Sequence, residues 1–185
     1  MRMSREATAQ SKARILNAAS KMLRERGIEA TSIVDVMQAT GMTHGGFYRH
    51  FQSKDEMVAA AIRAAFDEAA DRFDRRLRQH GADAAIKAYV DEYLSLSHLE
   101  HAGRGCPIAA IGADAGRYGG IISAEFIDGT EKLIQRLVKA PSGTSRTASE
   151  RTEAIRRLAT LVGAVVMARA VGRNTLRKEI LAACS

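Results

Sequence analysis

The side chains best suited to chemistry in this chain lie in one short stretch, residues 41–56. Thr43 and His44 carry a hydroxyl and an imidazole at the expected start of a short helix, and both groups can hydrogen-bond to the edges of bases. Gly45 and Gly46 follow, and residues without side chains let a backbone approach its binding partner closely. The glycines also weaken a helix, by up to about 1 kcal/mol each relative to alanine. Residues of these types in the first turn of a helix are able to contact nucleic acid, provided that the helix is presented to it.

Three predicted helices position this stretch. Apolar residues at helical spacing predict the first over about 8–26, where Gly27 ends it. Thr31 and Ser32 are good N-caps for a second helix over 33–39, and either hydroxyl could instead donate to a phosphate. A tight turn at 40–42 leads to a third helix over 43–50. The two short helices form a helix-turn-helix, whose second helix enters the major groove of DNA.

Positive charge is concentrated in the same part of the chain. Of the net charge of +7, residues 1–54 contribute +5, from nine Lys or Arg and four Asp or Glu. A basic segment on a nearly neutral remainder is typical of a nucleic-acid-binding domain joined to a body with another role. A solvated basic surface would give the same count, so charge alone does not separate the two interpretations.

Residues 41–56 also resemble the signature of TetR/AcrR-type transcription regulators, through the pattern Phe47-Tyr48-x-His50-Phe51-x-x-Lys54-x-Glu56. The resemblance extends over about residues 8–58. It implies that Tyr48, His50 and Lys54 contact phosphates; Lys54 also stands at a helix start, where backbone N–H groups favour an anion. Arg49 is a further candidate for a phosphate contact. Phe47 and Phe51 are expected in the core of the domain.

The resemblance implies a two-domain architecture. Residues 1–52 would form a DNA-binding helix-turn-helix domain, and residues 53–185 a helical ligand-binding and dimerisation domain. Hydrophobic periodicity by itself predicts an all-α chain of about nine helices. The last two, predicted over 148–171 and 175–184, would pair with those of a second subunit in a homodimer. Independently, residues 158–168 are apolar and small at almost every position, which favours a subunit interface.

We therefore expect a transcriptional regulator that binds a palindromic double-stranded DNA operator as a homodimer, because two-fold symmetry repeats the recognition helix. Repression released by a small-molecule effector is the expected mode, without a cofactor. A DNA-binding architectural protein that takes no effector is an alternative. The chain has two Cys, no apolar stretch after Arg2 and Arg5, and no run long enough to span a bilayer, so we expect a cytoplasmic protein without membrane contact. It has no phosphate-cradling glycine loop and no nucleophile elbow, so we expect no enzyme.

Candidate effector-binding residues lie in the predicted body and are mostly apolar or aromatic: Phe66, Tyr89, Tyr93, Cys106, Ile111, Phe126 and Met167. An ordinary helical core would show the same stripe. Tyr89 and Tyr93 share a face and bring hydroxyls that need partners, which favours a pocket with a polar end. The charged run over 71–76 is expected to be an exposed face rather than a site.

Cys106 has three possible roles. It could be a small buried residue. It could be a thiol at a helix start, near Arg104, whose lowered pKa lets it sense oxidants or electrophiles. It could also bind a metal together with His98 and His101, although the two His could equally be exposed side chains near a helix end, and we expect no metal site.

Overall fold

The computed structural model describes residues 5–138 and 148–185, and the secondary-structure elements within these ranges are all helices, as predicted. Its α-helices are, in order, α1 (Arg5–Arg26), α2 (Ile33–Ala39), α3 (His44–Phe47), α4 (Lys54–His80), α5 (Ala82–Tyr93), α6 (Leu96–Glu100), α7 (Pro107–Ala115), α8 (Gly120–Leu137), α9 (Ala148–Ala170) and α10 (Thr175–Ala183). A short 3-10 helix, Ala102–Arg104, precedes α7. The predicted linker over 140–148 and the predicted capping of the next helix by Thr147 lie, except for residue 148, outside the described residues.

The end of α1, the start of α2 and the turn before α3 form where their local sequence predicts. Gly27, with a φ of 85°, ends α1 in the left-handed conformation, and its N–H donates to the Leu23 carbonyl at 2.9 Å. Ser32 caps α2, because its Oγ accepts from the Asp35 N–H at 3.1 Å. Gly41, with a φ of 68°, makes the tight turn to α3. The turn sets α2 and α3 against each other as a helix-turn-helix.

Helix α3 is shorter than predicted. It was expected over 43–50, but only His44–Phe47 is α-helical and residues 48–50 continue as turns. Two glycines among its four residues explain the difference, since glycine is among the weakest helix formers. Phe47 and Phe51 anchor the segment to the domain core, and both are buried, as predicted.

Helix α4 joins the N-terminal helices to the rest of the molecule. Ser53 caps it, because its side chain accepts from the Glu56 N–H. The Glu56 side chain in turn accepts from the Gln52 N–H at 2.6 Å, whereas a standard capping box would use the N–H of Ser53. The capping box that the spacing of Ser53 and Glu56 predicts therefore forms, with this one bond shifted by a residue. With 27 residues it is about 40 Å long. It packs against α1 on the DNA-binding side and against α5 and α8 in the body.

The segment after Asp83 differs most from the sequence prediction. Apolar spacing in the sequence predicts one helix from Asp83 until near Gly103, and the structure divides this segment into α5, α6 and the 3-10 helix. The division occurs because the Ser95 Oγ accepts from the His98 N–H at 3.1 Å and so starts a new helix. The described residues therefore contain ten α-helices instead of about nine. The break folds residues 98–106 back over Tyr93.

Ion pairs hold the body helices together around one apolar core. Arg136 of α8 makes a two-fold hydrogen bond to Asp74 of α4, at 2.9 and 2.7 Å. Arg151 of α9 does the same with Glu131 of α8, at 2.7 Å for both bonds. Of the helices in the two described ranges, none has the length and apolar character needed to cross a membrane.

Candidate functional site

The first turn of α3 is presented to the outside. Thr43, His44 and Gly45 are all exposed, and Thr43 is the N-cap residue of the helix without using its side chain to cap it. Tyr48 is 61% exposed, and its ring lies edge-on to that of His44, 5.8 Å between centroids. The hydroxyl of Thr43, the imidazole of His44 and the phenol of Tyr48 are therefore free to meet a partner on one surface.

The other predicted phosphate contacts differ in how they are held. Arg49 is exposed. Lys54, the first residue of α4, donates from Nζ to the Glu29 carbonyl at 3.2 Å, which holds its charge at the loop between α1 and α2. His50 is half-buried, and burial, together with the nearby charges of Lys12 and Arg49, lowers its pKa. The neutral form of His50 is thus favoured, so it can contribute a hydrogen bond rather than a charge.

Thr31 and Ser32 have structural roles. Thr31 is only 1% exposed, and its hydroxyl donates to the Gly27 carbonyl at 2.8 Å, so it faces inward. Ser32 is half-buried and uses its Oγ as the N-cap of α2. The Ser32 hydroxyl hydrogen can still point outward, whereas Thr31 lies away from the surface that carries Thr43 and His44.

Two cations on α1 contact the helix-turn-helix and were not singled out from the sequence. Lys12 holds its Nζ 5.0 Å from the centre of the Phe51 ring, and Arg14 donates to the Thr40 carbonyl at 2.7 Å. Both fix α1 to the helix-turn-helix while adding positive charge to it. Both residues contribute to the positive net charge of residues 1–54, which was the feature of the sequence that pointed to them.

The predicted effector-binding residues do not form one cavity. Tyr89, Tyr93 and Cys106 line the same cleft. Phe66 and Phe126 instead pack edge-on against each other, 5.3 Å between centroids, and Ile111 is buried in the apolar core. Met167 is 55% exposed on α9.

Cys106 is 4% exposed and serves as the N-cap residue of α7. Its N–H donates to Nε2 of His98 at 3.0 Å, while Nδ1 of His98 donates to the Tyr93 carbonyl at 2.6 Å. Both nitrogens of His98 are therefore occupied, and burial lowers its pKa, so it is held as a neutral imidazole. His101 is exposed and bonds to the Ser97 carbonyl at 2.8 Å. Within the described ranges, no group of three potential metal ligands comes together.

The charged run over 71–76 is only partly an exposed face, which corrects the sequence prediction. Asp71 and Arg75 are exposed. Arg72 and Arg76, one helical turn apart, line the cleft of Tyr93 and pair with glutamates: Arg72 with Glu68 at 2.7 Å, and Arg76 with Glu92 of α5. In the sequence, the i, i+4 spacing of the two arginines could have indicated that both lie on the same face of α4.

An exposed apolar groove of about 530 Å³ lies beside α9. Ile155, Val162 and Val166 of α9 line one side, and Ile134 of α8 and Ile108 of α7 line the other. Among the large apolar side chains exposed in the described residues, α10 contributes only Leu176. In this groove the exposed apolar surface of α9 continues onto α8.

Comparison with known proteins agrees with this architecture. Residues 15–61 match the family described as bacterial regulatory proteins, tetR family. Over 91 residues the chain is 31% identical to the uncharacterized HTH-type transcriptional regulator YfiR of Bacillus subtilis (strain 168), covering 49% of this chain and 44% of that protein. Over 89 residues it is 33% identical to the HTH-type transcriptional repressor KstR2 of Rhodococcus jostii (strain RHA1), covering 45% and 43%. The chain therefore matches less than half the length of these two relatives.

The fold is matched over nearly the whole chain. A TetR-family transcriptional regulator from Agrobacterium tumefaciens superimposes with a TM-score of 0.77, covering 95% of this chain and 96% of that one at 19% identity. The resemblance to TetR/AcrR-type regulators is thus confirmed: residues 15–61 are a tetR-family helix-turn-helix, and the helices around it have the fold of that family. The relatives are named as regulators and repressors, not as enzymes.

Proposed function

We propose that this protein is a DNA-binding transcriptional repressor, which binds a palindromic operator as a homodimer and is released by a small-molecule effector. The observation that carries the proposal is the exposed first turn of α3 within a tetR-family helix-turn-helix. A helix presented in this way fits the major groove by its N-terminal end. The names of its relatives, KstR2 among them, support repression rather than activation.

In this proposal, Thr43 and His44 read base edges, because their exposed side chains can donate and accept hydrogen bonds. Gly45 lets the backbone lie close to the bases. Tyr48, Arg49 and Lys54 contact phosphates, which position the helix without reading sequence. His50 and Ser32 are minor contacts, and the buried Thr31 acts only within the protein.

The second subunit would cover the groove between α8 and α9. Ile155, Val162 and Val166 leave apolar area exposed there, and burying it stabilises a dimer by about 25 cal/mol per Å². Gly163 lies in the same groove, and a Cβ added to it would meet no atom, so a partner helix can approach closely. We infer that the dimer uses α9 with α8.

The proposal also includes the division of the chain into a DNA-binding domain, residues 1–52, and a ligand-binding and dimerisation domain, residues 53–185. It places the protein in the cytoplasm.

The test is to select bound duplexes from random double-stranded DNA and to compare the wild type with His44→Ala. The selected sites should be palindromic, and His44→Ala should change the preferred base at one position in each half-site. The matched control is His80→Ala, because His80 is an exposed residue at the far end of α4. Uniform weakening of all sequences by His44→Ala would make His44 a phosphate contact.

Two further results would contradict the proposal. Sedimentation that shows only monomers at micromolar concentration would exclude the dimer. Affinity for the selected duplex that no metabolite changes would favour the architectural alternative over an effector-released repressor.

A further inference from the structure

One cleft of the body combines cationic walls with a buried polar end. Its inner part encloses about 40 Å³ beside Tyr89, Tyr93 and Cys106. An outer part of about 330 Å³ opens to the surface past His101. Arg72, Glu92, His98 and Arg104 line both parts, so the two are continuous. We call this space the arginine cleft.

The hydroxyl of Tyr93 is the buried end of the arginine cleft. Tyr93 is 4% exposed, and its hydroxyl lies beside the Cys106 thiol, a weak acceptor, without a nitrogen or oxygen partner. Burial, together with the nearby Cys106 and Tyr89, raises the pKa of Tyr93 well above its usual value, so the group stays a phenol and remains a donor. A buried donor without a strong acceptor is destabilising, and a ligand oxygen in the inner part would satisfy it.

The walls of the arginine cleft carry more positive than negative charge. Three arginines, Arg72, Arg76 and Arg104, line the cleft with two glutamates: Glu92 pairs with Arg76, and Glu68 of the outer part pairs with Arg72. Burial, and then the charge of Arg72, lowers the pKa of Arg76, which shows how closely the two cations are crowded. Arg104 is exposed and makes no ion pair with any residue in the described ranges. An anion placed between these guanidinium groups would relieve their repulsion.

We propose that the arginine cleft binds a small organic carboxylate, and that this is the class of effector. The guanidinium of Arg104 or Arg72 would donate two parallel hydrogen bonds to the carboxylate, the arrangement that arginine makes best. The phenol of Tyr93 would donate a third. A water molecule needs roughly 10–15 Å³ of such volume, so the inner part has room for a carboxylate group, while the outer part accepts the rest of the molecule.

A direct contact connects the arginine cleft to the DNA-binding helices. Glu68 accepts hydrogen bonds from two arginines, one on each carboxylate oxygen. Arg72 donates to Oε1 at 2.7 Å, and Arg24 of α1 donates to Oε2 at 3.0 Å. Arg24 is 5% exposed and also donates to the Gly105 carbonyl at 3.0 Å, next to Cys106. A ligand that draws Arg72 away from Glu68 therefore changes the environment of a buried arginine in α1. This step, and the assignment of the carboxylate as the effector, rest on the proposed function.

The first test measures binding without DNA. Isothermal titration calorimetry would compare acetate and benzoate with acetamide and benzamide, at ionic strength matched with chloride. At least one carboxylate should bind tenfold or more tightly than its amide, because the amide carries no charge. Arg104→Gln should weaken that binding about tenfold, whereas Arg75→Gln should leave it unchanged. Arg75 is the matched control, since it is exposed, loses the same charge and lies outside the cleft.

Tyr93→Phe separates a ligand contact from a structural role. It removes only a hydroxyl without a nitrogen or oxygen partner, so the free protein should melt at the same temperature or higher, while carboxylate affinity falls about fivefold. Equal binding of acid and amide, or equal loss with Arg75→Gln and Arg104→Gln, would overturn the inference.

A separate titration of the selected duplex distinguishes the two proposals. If the duplex binds and neither carboxylate does, the arginine cleft is not a carboxylate site and the proposed repressor stands. If the carboxylate binds specifically and no duplex does, the site stands and the proposed function fails. If both bind, the carboxylate should weaken duplex binding in the wild type and not in Arg104→Gln.

Discussion

Gly45→Ala should have opposite effects on stability and on DNA binding. Gly45 is exposed in the first turn of α3, and a Cβ built on it would meet no heavy atom within 4 Å. Its φ is not in the left-handed region, so alanine fits the backbone without strain. The substitution should therefore raise the free energy of unfolding, by at most about 1 kcal/mol, because alanine is the better helix former.

On DNA the same methyl group should be unfavourable. It projects from the surface that we propose to lie against base edges, and it would hold the helix away from the groove. We expect the affinity for the selected duplex to fall about tenfold, which corresponds to about 1.4 kcal/mol. A more stable protein that binds DNA less well cannot be explained by partial unfolding.

The measurements are urea denaturation followed by circular dichroism, and fluorescence anisotropy with the selected duplex at fixed salt. Gly46→Ala is the matched control. Its Cβ would lie 3.5 Å from the Thr43 Oγ1 and 3.7 Å from the Met37 Cε, ordinary contacts within the domain, so it should gain stability without losing affinity. Unchanged DNA affinity in Gly45→Ala would refute the close approach of this backbone to DNA.

Three other substitutions test the remaining elements. Lys54→Ala should weaken all duplexes alike and reduce the slope of log affinity against log salt by about 0.9; a change of sequence preference would contradict its role as a phosphate contact. Gly129→Ala should lower the free energy of unfolding by about 1–3 kcal/mol in urea denaturation, since its methyl would overlap the buried Phe66 ring; equal or greater stability would show that α4 and α8 can separate. Hydrogen bonds from Arg151 and then Gln135 lower the pKa of Glu131 from 4.5 to about 2, so its contribution to stability is present above pH 4.5 and is lost as pH falls towards 2. Glu131→Gln should therefore melt slightly below the wild type at pH 7 and together with it near pH 2, and a difference that persists at pH 2 would contradict this.

Elements set by neighbouring residues were predicted well. The caps at Ser32 and Ser53 and the turn at Gly41 depend on contacts within four residues, so the sequence contains everything that determines them. The helix-turn-helix and its exposed first turn follow from these signals. The break at Ser95 was equally local but was missed, because the apolar spacing on either side continues through it.

The residues predicted to bind an effector do not lie together, because distant contacts decide where each of them packs. Periodicity indicates that Phe66, Phe126 and Tyr93 face inward, but it does not distinguish a packed core from a cleft. Packing closes the space around the first two and leaves the Tyr93 hydroxyl beside open volume. The charges of Arg72 and Arg76 are visible in the sequence, whereas their meeting with Glu92 and Arg104 is not.

By itself, the sequence determined which helices form at the N-terminal end, where they begin, and which side chains their first turns carry, because helix caps, turns and apolar spacing act over a few residues. Only the tertiary structure decided which of the buried positions border a cleft and which part of α9 stays uncovered. Arg24 and Gly105, for example, are joined by a hydrogen bond although 81 residues separate them. Contacts over such a distance depend on how all the helices pack together, and no local pattern records them.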